Sequence, residues 1–123
     1  MARFMLLLHS AEEDRERWRT FTPEQAQQAM QRYYDWVAQL RREGHMHSGD
    51  PLKDTVLTVR MRDGEPAVDG PYAETKESVG GYFLIEARDL AEAGEVAKGC
   101  PALQHDGWVE VREIDENEGT TDQ

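Results

Sequence analysis

The sequence predicts an α+β domain of the ferredoxin-like class, in which two split β-α-β halves carry an extra β-hairpin between them. Three observations support this prediction. An apolar strand pattern near the N-terminus is followed by a long amphipathic helix, and a strand–helix–strand pattern recurs near the C-terminus. An Asp-Gly turn between two strand patterns separates the halves. With 123 residues, the chain has room for one such domain.

The first predicted strand, residues 3–9, is apolar on both of its faces. Alternation divides its apolar side chains into two sets, Phe4, Leu6 and Leu8 on one face and Met5 and Leu7 on the other. Such a pattern is typical of a central strand that is covered on both sides.

The next predicted element is a helix over residues 23–43. Thr22 is a favourable N-cap, Pro23 suits the first helical position, and Gln25 completes a capping box. Gly44 supplies the left-handed stop. Apolar spacings of three and four predict a buried stripe of Ala26, Met30, Tyr33, Val37 and Leu40.

The middle of the chain predicts short strands and a hairpin. Residues 45–48 are a short strand entry, which the following Gly-Asp-Pro interrupts. Thr55–Arg62 alternates as a strand, and Asp63-Gly64 is a strong hairpin turn. Pro66–Asp69 is the return strand, and Gly70-Pro71 is expected to end it.

The second half begins with a predicted strand over Gly80–Ala87. Asp89 then caps a short helix that runs to about Lys98, and Trp108–Ile114 is the last strand. The predicted domain therefore covers residues 1–114. The polar, acidic segment 115–123 is expected to be a disordered tail.

The apolar pattern also predicts a homodimer. Two helices cover only one face of the sheet, yet the first strand is apolar on both, and Tyr82 and Leu84 alternate with Phe83 and Ile85. The uncovered face is expected to pack against a second copy of the chain, with the sheets apposed as in a dimeric α/β barrel.

The net charge of −11 excludes some classes of partner. All of the acidic excess lies after residue 44, so the chain is expected to bind neither nucleic acid nor an acidic membrane. The longest apolar run, Phe4–Leu8, is too short for a membrane span and does not resemble a signal peptide. The lone Cys100 excludes an internal disulfide and, at a helix end, is not expected to be a nucleophile. We expect a cytoplasmic protein.

The segment from Val68 to Glu77 is the most unusual in the chain. Its polar residues are compatible with an ordinary turn, in which Asp69 bonds its own backbone. They are also compatible with a binding loop, in which Lys76 meets an anion and Glu74 or Glu77 exchanges protons. Glycines at 80 and 81 would let a ligand approach the next strand closely.

The stretch Asp69–Glu77, together with Gly80–Ile85, resembles the signature of the YCII-related proteins of the DGPF type, with Tyr72 at a usual Phe position. The resemblance implies a ferredoxin-like fold and a dimer with apposed sheets, but no settled activity. Some members of that group occur beside or fused to alternative sigma factors, which implies a regulatory or ligand-sensing setting.

Some members of the wider YCII-related group carry a His–Asp pair, with the His early in the first helix. The predicted helix 23–43 has glutamines there and no His. Of the four histidines, His9 ends the first strand, and His47 follows the helix; His105 is expected to be solvated. His45 and His47 alternate, but two ligands alone make no metal site, and we expect neither a metal nor another cofactor.

These observations predict a small-molecule cleft near the Asp69–Glu77 loop of a homodimer. Asp69, His47 and His9 are the candidate catalytic residues, and the candidate ligand-binding residues are Gly70, Pro71, Glu74, Lys76, Gly80 and Gly81. The alternative is a proton-transfer lyase or isomerase that uses a His/Asp pair on a small organic compound. Whether the chain is an enzyme stays open at this point.

Overall fold

In the computed structural model, residues 1–73 and 77–116 are described. Their elements, in chain order, are β1 (Ala2–Ala11), α1 (Glu12–Arg19), α2 (Pro23–Arg42), β2 (Met46–Pro51), β3 (Thr55–Arg62), β4 (Glu65–Ala73), β5 (Glu77–Ala87), α3 (Leu90–Ala97), a short 3₁₀ helix (Pro101–His105) and β6 (Trp108–Glu113). The predicted order of the strands and of the two predicted helices, α2 and α3, is confirmed. Helix α1 is an additional helix that the sequence did not predict.

The main sheet has four antiparallel strands in the order β2-β5-β1-β6. Helices α2 and α3 contribute Trp36, Leu40, Ala93 and Ala97 to the same buried cluster as the central strands, so they cover one face of the sheet. The architecture is α+β and compatible with the ferredoxin-like fold that the sequence predicts.

The strand register determines which side chains share a face. The directly opposed pairs Phe4–Ile85 and Leu6–Phe83 lie on the face toward the helices and are buried. The pairs Met5–Leu84 and Leu7–Tyr82 lie on the other face, outside the core cluster, and are partly exposed. The predicted two-sided strand is therefore observed, and this chain covers one of its sides.

Strand β2 runs through Gly49-Asp50-Pro51, so the predicted interruption at these residues is wrong. Because β2 is an edge strand, Pro51 does not disturb a ladder on both sides. Gly49 is required for packing: a Cβ atom there would lie 2.5 Å from Cδ1 of the Phe83 ring.

Helix α2 has the ends that the sequence predicts. The Thr22 Oγ1 accepts a hydrogen bond from the Gln25 backbone N–H at 3.1 Å, and the Gln25 Oε1 accepts one from the Thr22 N–H at 2.9 Å. This is a complete capping box. Gly44 has a φ of +79°, the left-handed conformation of a helix stop.

The predicted buried stripe of α2 is confirmed at Leu40, and Tyr33 and Val37 pack against the core cluster, but the prediction is wrong at Met30 and misses Ala29 and Trp36. The buried residues are Ala29, Trp36 and Leu40, whereas Met30 is 38% exposed and Val37 is only half-buried. The reason is that Trp36, the largest apolar side chain of the helix, turns toward the sheet and packs its edge on Phe83 at a centroid distance of 5.1 Å.

Helix α1 was not predicted because it has almost no apolar periodicity. It has no side-chain N-cap, and Trp18 is its one large apolar residue. The available signal was its charge order. Acidic residues fill the first turn and Arg17 and Arg19 lie in the last turn, which favours the helix dipole.

Strands β3 and β4 form a separate two-stranded hairpin. Its turn is as predicted, with positive φ angles at Asp63 (51°) and Gly64 (82°). The expected end at Gly70-Pro71 is wrong: the register shifts there, and pairing resumes between Tyr72 and Val56. The four apolar residues Leu57, Val59, Met61 and Val68 are each 60% to 65% exposed.

Of the predicted tail, Asp115 and Glu116 are described, and the Arg3 guanidinium donates to the Glu116 carboxylate at 2.8 Å. The remainder of the tail lies outside the described residues. Within residues 1–73 and 77–116, no helix combines the length and apolar character that crossing a membrane requires.

The core position of Trp36 makes a stability prediction. Replacement by Ala removes the ring that joins α2 to Phe83 and should lower the free energy of unfolding by about 3–5 kcal/mol. Tyr34→Ala, at a position that is 62% exposed, should cost much less. Urea unfolding of the two variants tests this, and equal losses would contradict the helix phase described here.

Candidate functional site

A cavity of about 800 Å³ lies between the sheet and helices α1 and α2. It opens at the end of the sheet where β1 finishes, β5 begins and β2 leads toward the hairpin. Leu8, His9 and Ser10 border it from β1, and Pro51 and Leu52 border it from the end of β2. The site is therefore built where strand ends meet, away from the packed centre of the core.

Apolar side chains form most of the cavity wall. Helix α2 presents Met30, Tyr33, Tyr34 and Val37, which follow the helical spacing of three and four. The sheet contributes Phe83, whose ring stacks on Tyr33 at a centroid distance of 6.5 Å. Such walls are typical of sites for small organic molecules.

Glycines line the sheet side of the cavity. Gly80 is exposed, and a Cβ atom at this position would have no neighbouring atom within 4 Å. Gly81 is buried beside the Asp50 carbonyl of β2. The two glycines that the sequence singles out therefore lie at the cavity, where the absence of side chains leaves space.

One carboxylate in the cavity wall is deeply buried. Asp14 of α1 is only 4% exposed, and its Oδ1 lies 3.3 Å from an Nη1 of Arg17 one turn further along the helix. This ion pair partly compensates the loss of hydration that burial imposes on the carboxylate.

His105, at the end of the 3₁₀ helix, also lines the cavity. Its ring contacts Trp18 and Phe21 edge-on, at centroid distances of 5.2 and 5.9 Å. Burial lowers the pKa of His105, and the charges of Arg32 and Arg17 lower it further, against the weaker opposite effects of Asp14 and Asp106. The imidazole is therefore uncharged at neutral pH. It is half-buried against these aromatic rings rather than fully solvated as expected.

Two tyrosines that border the cavity also stay neutral, Tyr33 on the helix side and Tyr82 on the outer face of the sheet. Burial raises the pKa of Tyr33 above its ordinary value. The Tyr82 hydroxyl donates a hydrogen bond to the Asp50 Oδ2 at 2.9 Å, and this bond raises the pKa of Tyr82. Neither ring adds negative charge to the cavity near pH 7.

Of the candidate catalytic residues, His9 borders the cavity. Its Nε2 donates a hydrogen bond to the Glu110 carboxylate at 2.9 Å, and its ring stacks on Trp108 at 5.4 Å. These contacts lie on the face of the sheet opposite the helices, since His9 pairs with Trp108 in register with Leu7 and Glu110.

The other candidates are placed elsewhere. His47 is exposed on β2, with its Nδ1 3.3 Å from the Ser48 hydroxyl. Asp69 lies on the hairpin, where its carboxylate pairs with Arg62 at 2.5 Å and more distantly with Arg60. Neither belongs to the described cavity wall.

The remaining ligand-binding candidates are on or beyond the same hairpin. Gly70 lies in β4, at the register shift, and is outside the described wall. Glu74 and Lys76 lie outside the described residues, as does the side chain of Pro71. The structure thus brings together His9, Gly80 and Gly81 from the predicted set.

The residues that sequence reasoning missed come from α1 and the 3₁₀ helix. Asp14, Arg15, Trp18 and Arg19 line the cavity because α1 turns back beside the end of β1. A sequence signal existed in the lone Trp18 of a charged segment, since a large aromatic residue there indicates a packed face. Nothing in the local sequence connects His105 to α1.

Cys100 is buried, and burial raises the pKa of its thiol to about 11. The thiol is therefore protonated at neutral pH, in keeping with the expectation that it is not a nucleophile. Within the described part of the chain, no three His, Cys, Asp or Glu side chains converge in a way that could hold a metal ion.

Comparison with known proteins places the chain in a family. It matches the YCII-related domain over residues 2–117 and so belongs to the YCII-related family. A protein of Rhizobium meliloti (strain 1021), described as uncharacterised, is 42% identical over 59 residues. That match covers 46% of this chain and 48% of the relative, so it spans about half of each.

The environment of His105 predicts a pH effect on stability. Its pKa is lowered in the folded state, so the unfolded chain takes up the proton first, and the contribution to stability is lost as pH falls below about 6.5. His105→Gln should therefore lose less stability than the native chain between about pH 7 and pH 5. Thermal unfolding across this range measures the difference.

His47→Gln is the matched control, because His47 is exposed. This variant should keep the native pH dependence. If His105→Gln and His47→Gln change the profile equally, the charge environment described for His105 is wrong.

Proposed function

We propose that the chain is a small-molecule-binding domain whose ligand occupies the cavity between α1, α2 and the sheet. The observation that carries this proposal is the cavity itself. Its volume of about 800 Å³ is within the usual range for organic ligands, and an apolar wall surrounds a few polar groups.

The segment that resembles the family signature, Asp69–Glu77 with Gly80–Ile85, leads directly into the wall of this cavity. β4 carries the beginning of this segment, and β5 carries its second part, in which Gly80 and Gly81 lie in the cavity wall. We propose that ligand occupancy is sensed through this connection, in the regulatory setting that the resemblance implies. Asp69 then has a structural role in the hairpin, through its ion pairs with Arg62 and Arg60.

A second candidate function is proton transfer on the bound molecule, as a lyase or isomerase. It is favoured by the presence in one cavity of a buried carboxylate, Asp14, and an uncharged imidazole, His105. An uncharged imidazole is able to accept a proton near neutral pH. Turnover of small lactones or chlorinated phenols that is lost in His105→Gln would support this candidate, and its absence would leave binding as the function.

The binding proposal predicts that a neutral apolar probe enters the cavity. Phenylnaphthylamine should bind the native chain with an increase in its fluorescence. The double variant Met30→Trp/Val37→Trp places two bulky rings in the wall formed by α2 and should weaken probe binding by about tenfold or more. A fluorescence titration measures both affinities.

The matched control is Leu90→Trp/Leu103→Trp. Both residues are exposed and lie outside the described cavity wall, so this variant should bind the probe like the native chain. Failure of the native chain to bind the probe, or equal loss in both double variants, would overturn the binding proposal.

We also propose that the chain is a homodimer. Two of its surfaces support this. The outer sheet face carries the partly exposed pairs Met5–Leu84 and Leu7–Tyr82, and the hairpin carries four apolar residues that are at least 60% exposed. A second copy that covers the outer sheet face would remove apolar surface from water at about 25 cal/mol per Å².

Light scattering should therefore give about twice the chain mass of 14.1 kDa. The double variant Met5→Lys/Leu84→Glu should give the mass of one chain. These residues are direct cross-strand partners, so opposite charges are tolerated on an exposed face but are unfavourable at a buried interface. Circular dichroism checks that the variant is folded, and a native monomer at micromolar concentration would contradict the proposal.

A further inference from the structure

The cavity has a different charge balance from the rest of the chain. The net charge is −11, yet three arginines, Arg15, Arg19 and Arg41, line the cavity. At His105, the charges of Arg32 and Arg17 outweigh those of Asp14 and Asp106. The wall also contains three aspartates, Asp14, Asp50 and Asp54, so its charges are balanced within a strongly acidic molecule.

Most of the negative charge in the wall is already compensated. Asp14 pairs with Arg17 at 3.3 Å, and Asp54 pairs with Arg19 at 3.6 Å. Asp50 accepts the hydrogen bond from the Tyr82 hydroxyl, and it lies on β2 rather than on the helix side of the cavity.

Arg41 is the exception among the lining cations. Within the described part of the chain, its guanidinium has no hydrogen bond or ion pair, whereas Arg15 donates to the Ser10 carbonyl and Arg19 pairs with Glu16 and Asp54. Arg41 continues the stripe of Met30, Tyr33 and Val37 along α2. It lies in the last turn, where the helix dipole favours a cation.

From this arrangement we propose that the ligand of the cavity is a small organic anion, with an apolar ring or chain packed on Met30, Tyr33 and Val37 and its acidic group held by Arg41. The inference rests on the proposed binding function. A guanidinium that keeps all its donors free can bind a carboxylate through two parallel hydrogen bonds. The neutral phenol of Tyr33 does not repel such a ligand.

The test uses three competitors with the same ring and different charge. Naphthoate, naphthylmethanol and naphthylmethylamine are titrated against bound phenylnaphthylamine on the native chain. Naphthoate should displace the probe at a concentration about tenfold lower than the alcohol, and the amine should be the weakest of the three. Equal competition by all three would overturn the anion proposal while the binding function stands.

Arg41→Gln should bring naphthoate to the affinity of naphthylmethanol and leave the alcohol unchanged. Arg42→Gln is the matched control, because the neighbouring arginine has the same charge but lies outside the described cavity wall. If both variants weaken naphthoate equally, the effect is one of overall charge and the assignment to Arg41 is wrong. A native chain that binds neither probe nor competitor would instead refute the proposed function itself.

Discussion

The packing of the Phe83 ring between the sheet and α2 is the interaction on which the rest of the structure depends. Trp36 meets this ring edge-on at 5.1 Å, Tyr33 stacks on it at 6.5 Å, and Gly49 leaves room for it on β2. These contacts set the rotation of α2 about its axis. Because Trp36 points inward, Met30 is turned to the side, where it forms cavity wall instead of core, and Val37 contributes to both.

The cavity also depends on helix α1, which lies between β1 and α2 in the chain and contributes one part of the cavity wall. Trp18 of this helix and Phe21 after it form an aromatic cluster with His105, which joins the N-terminal segment to the 3₁₀ helix before β6. Helix α1 also carries the buried Asp14 and places Arg15 and Arg19 beside the cavity. A site of this kind combines apolar walls with a few charged groups whose surroundings determine their protonation.

The surface of the chain combines a high negative charge with exposed apolar side chains on the hairpin and the outer sheet face. Acidic residues give the molecule a high negative charge, which favours repulsion between copies. The outer sheet face and the hairpin combine exposed apolar side chains with charged neighbours, such as Glu110 and Arg112 on the sheet and Arg62 on the hairpin. They are connected through β2 and β5, whose ends also border the cavity. The proposed interface and the proposed ligand site therefore share the strands that lead into the hairpin, which would allow one to influence the other.

Local sequence patterns were sufficient for β1, β5 and β6 of the main sheet, the capping box of α2, the Asp63-Gly64 turn and the order that indicates a ferredoxin-like fold. These features depend on residues that are neighbours in the chain, as do the two-sided apolar pattern of β1 and the family resemblance. The rotation of α2 about its axis could not be predicted in this way, because both Met30 and Trp36 suit a buried apolar stripe. Only the contact with Phe83 determines that Trp36 is the buried residue of the two. The cavity residues were likewise only partly predictable. Gly80 and Gly81 were recognisable in the sequence as positions without side chains, where a ligand can approach the strand. Asp14, Arg41 and His105 are far apart in sequence, and no local pattern connects them. Tertiary structure alone brings them to one cavity, because their positions follow from how α1 and α2 pack on the sheet and not from any local pattern.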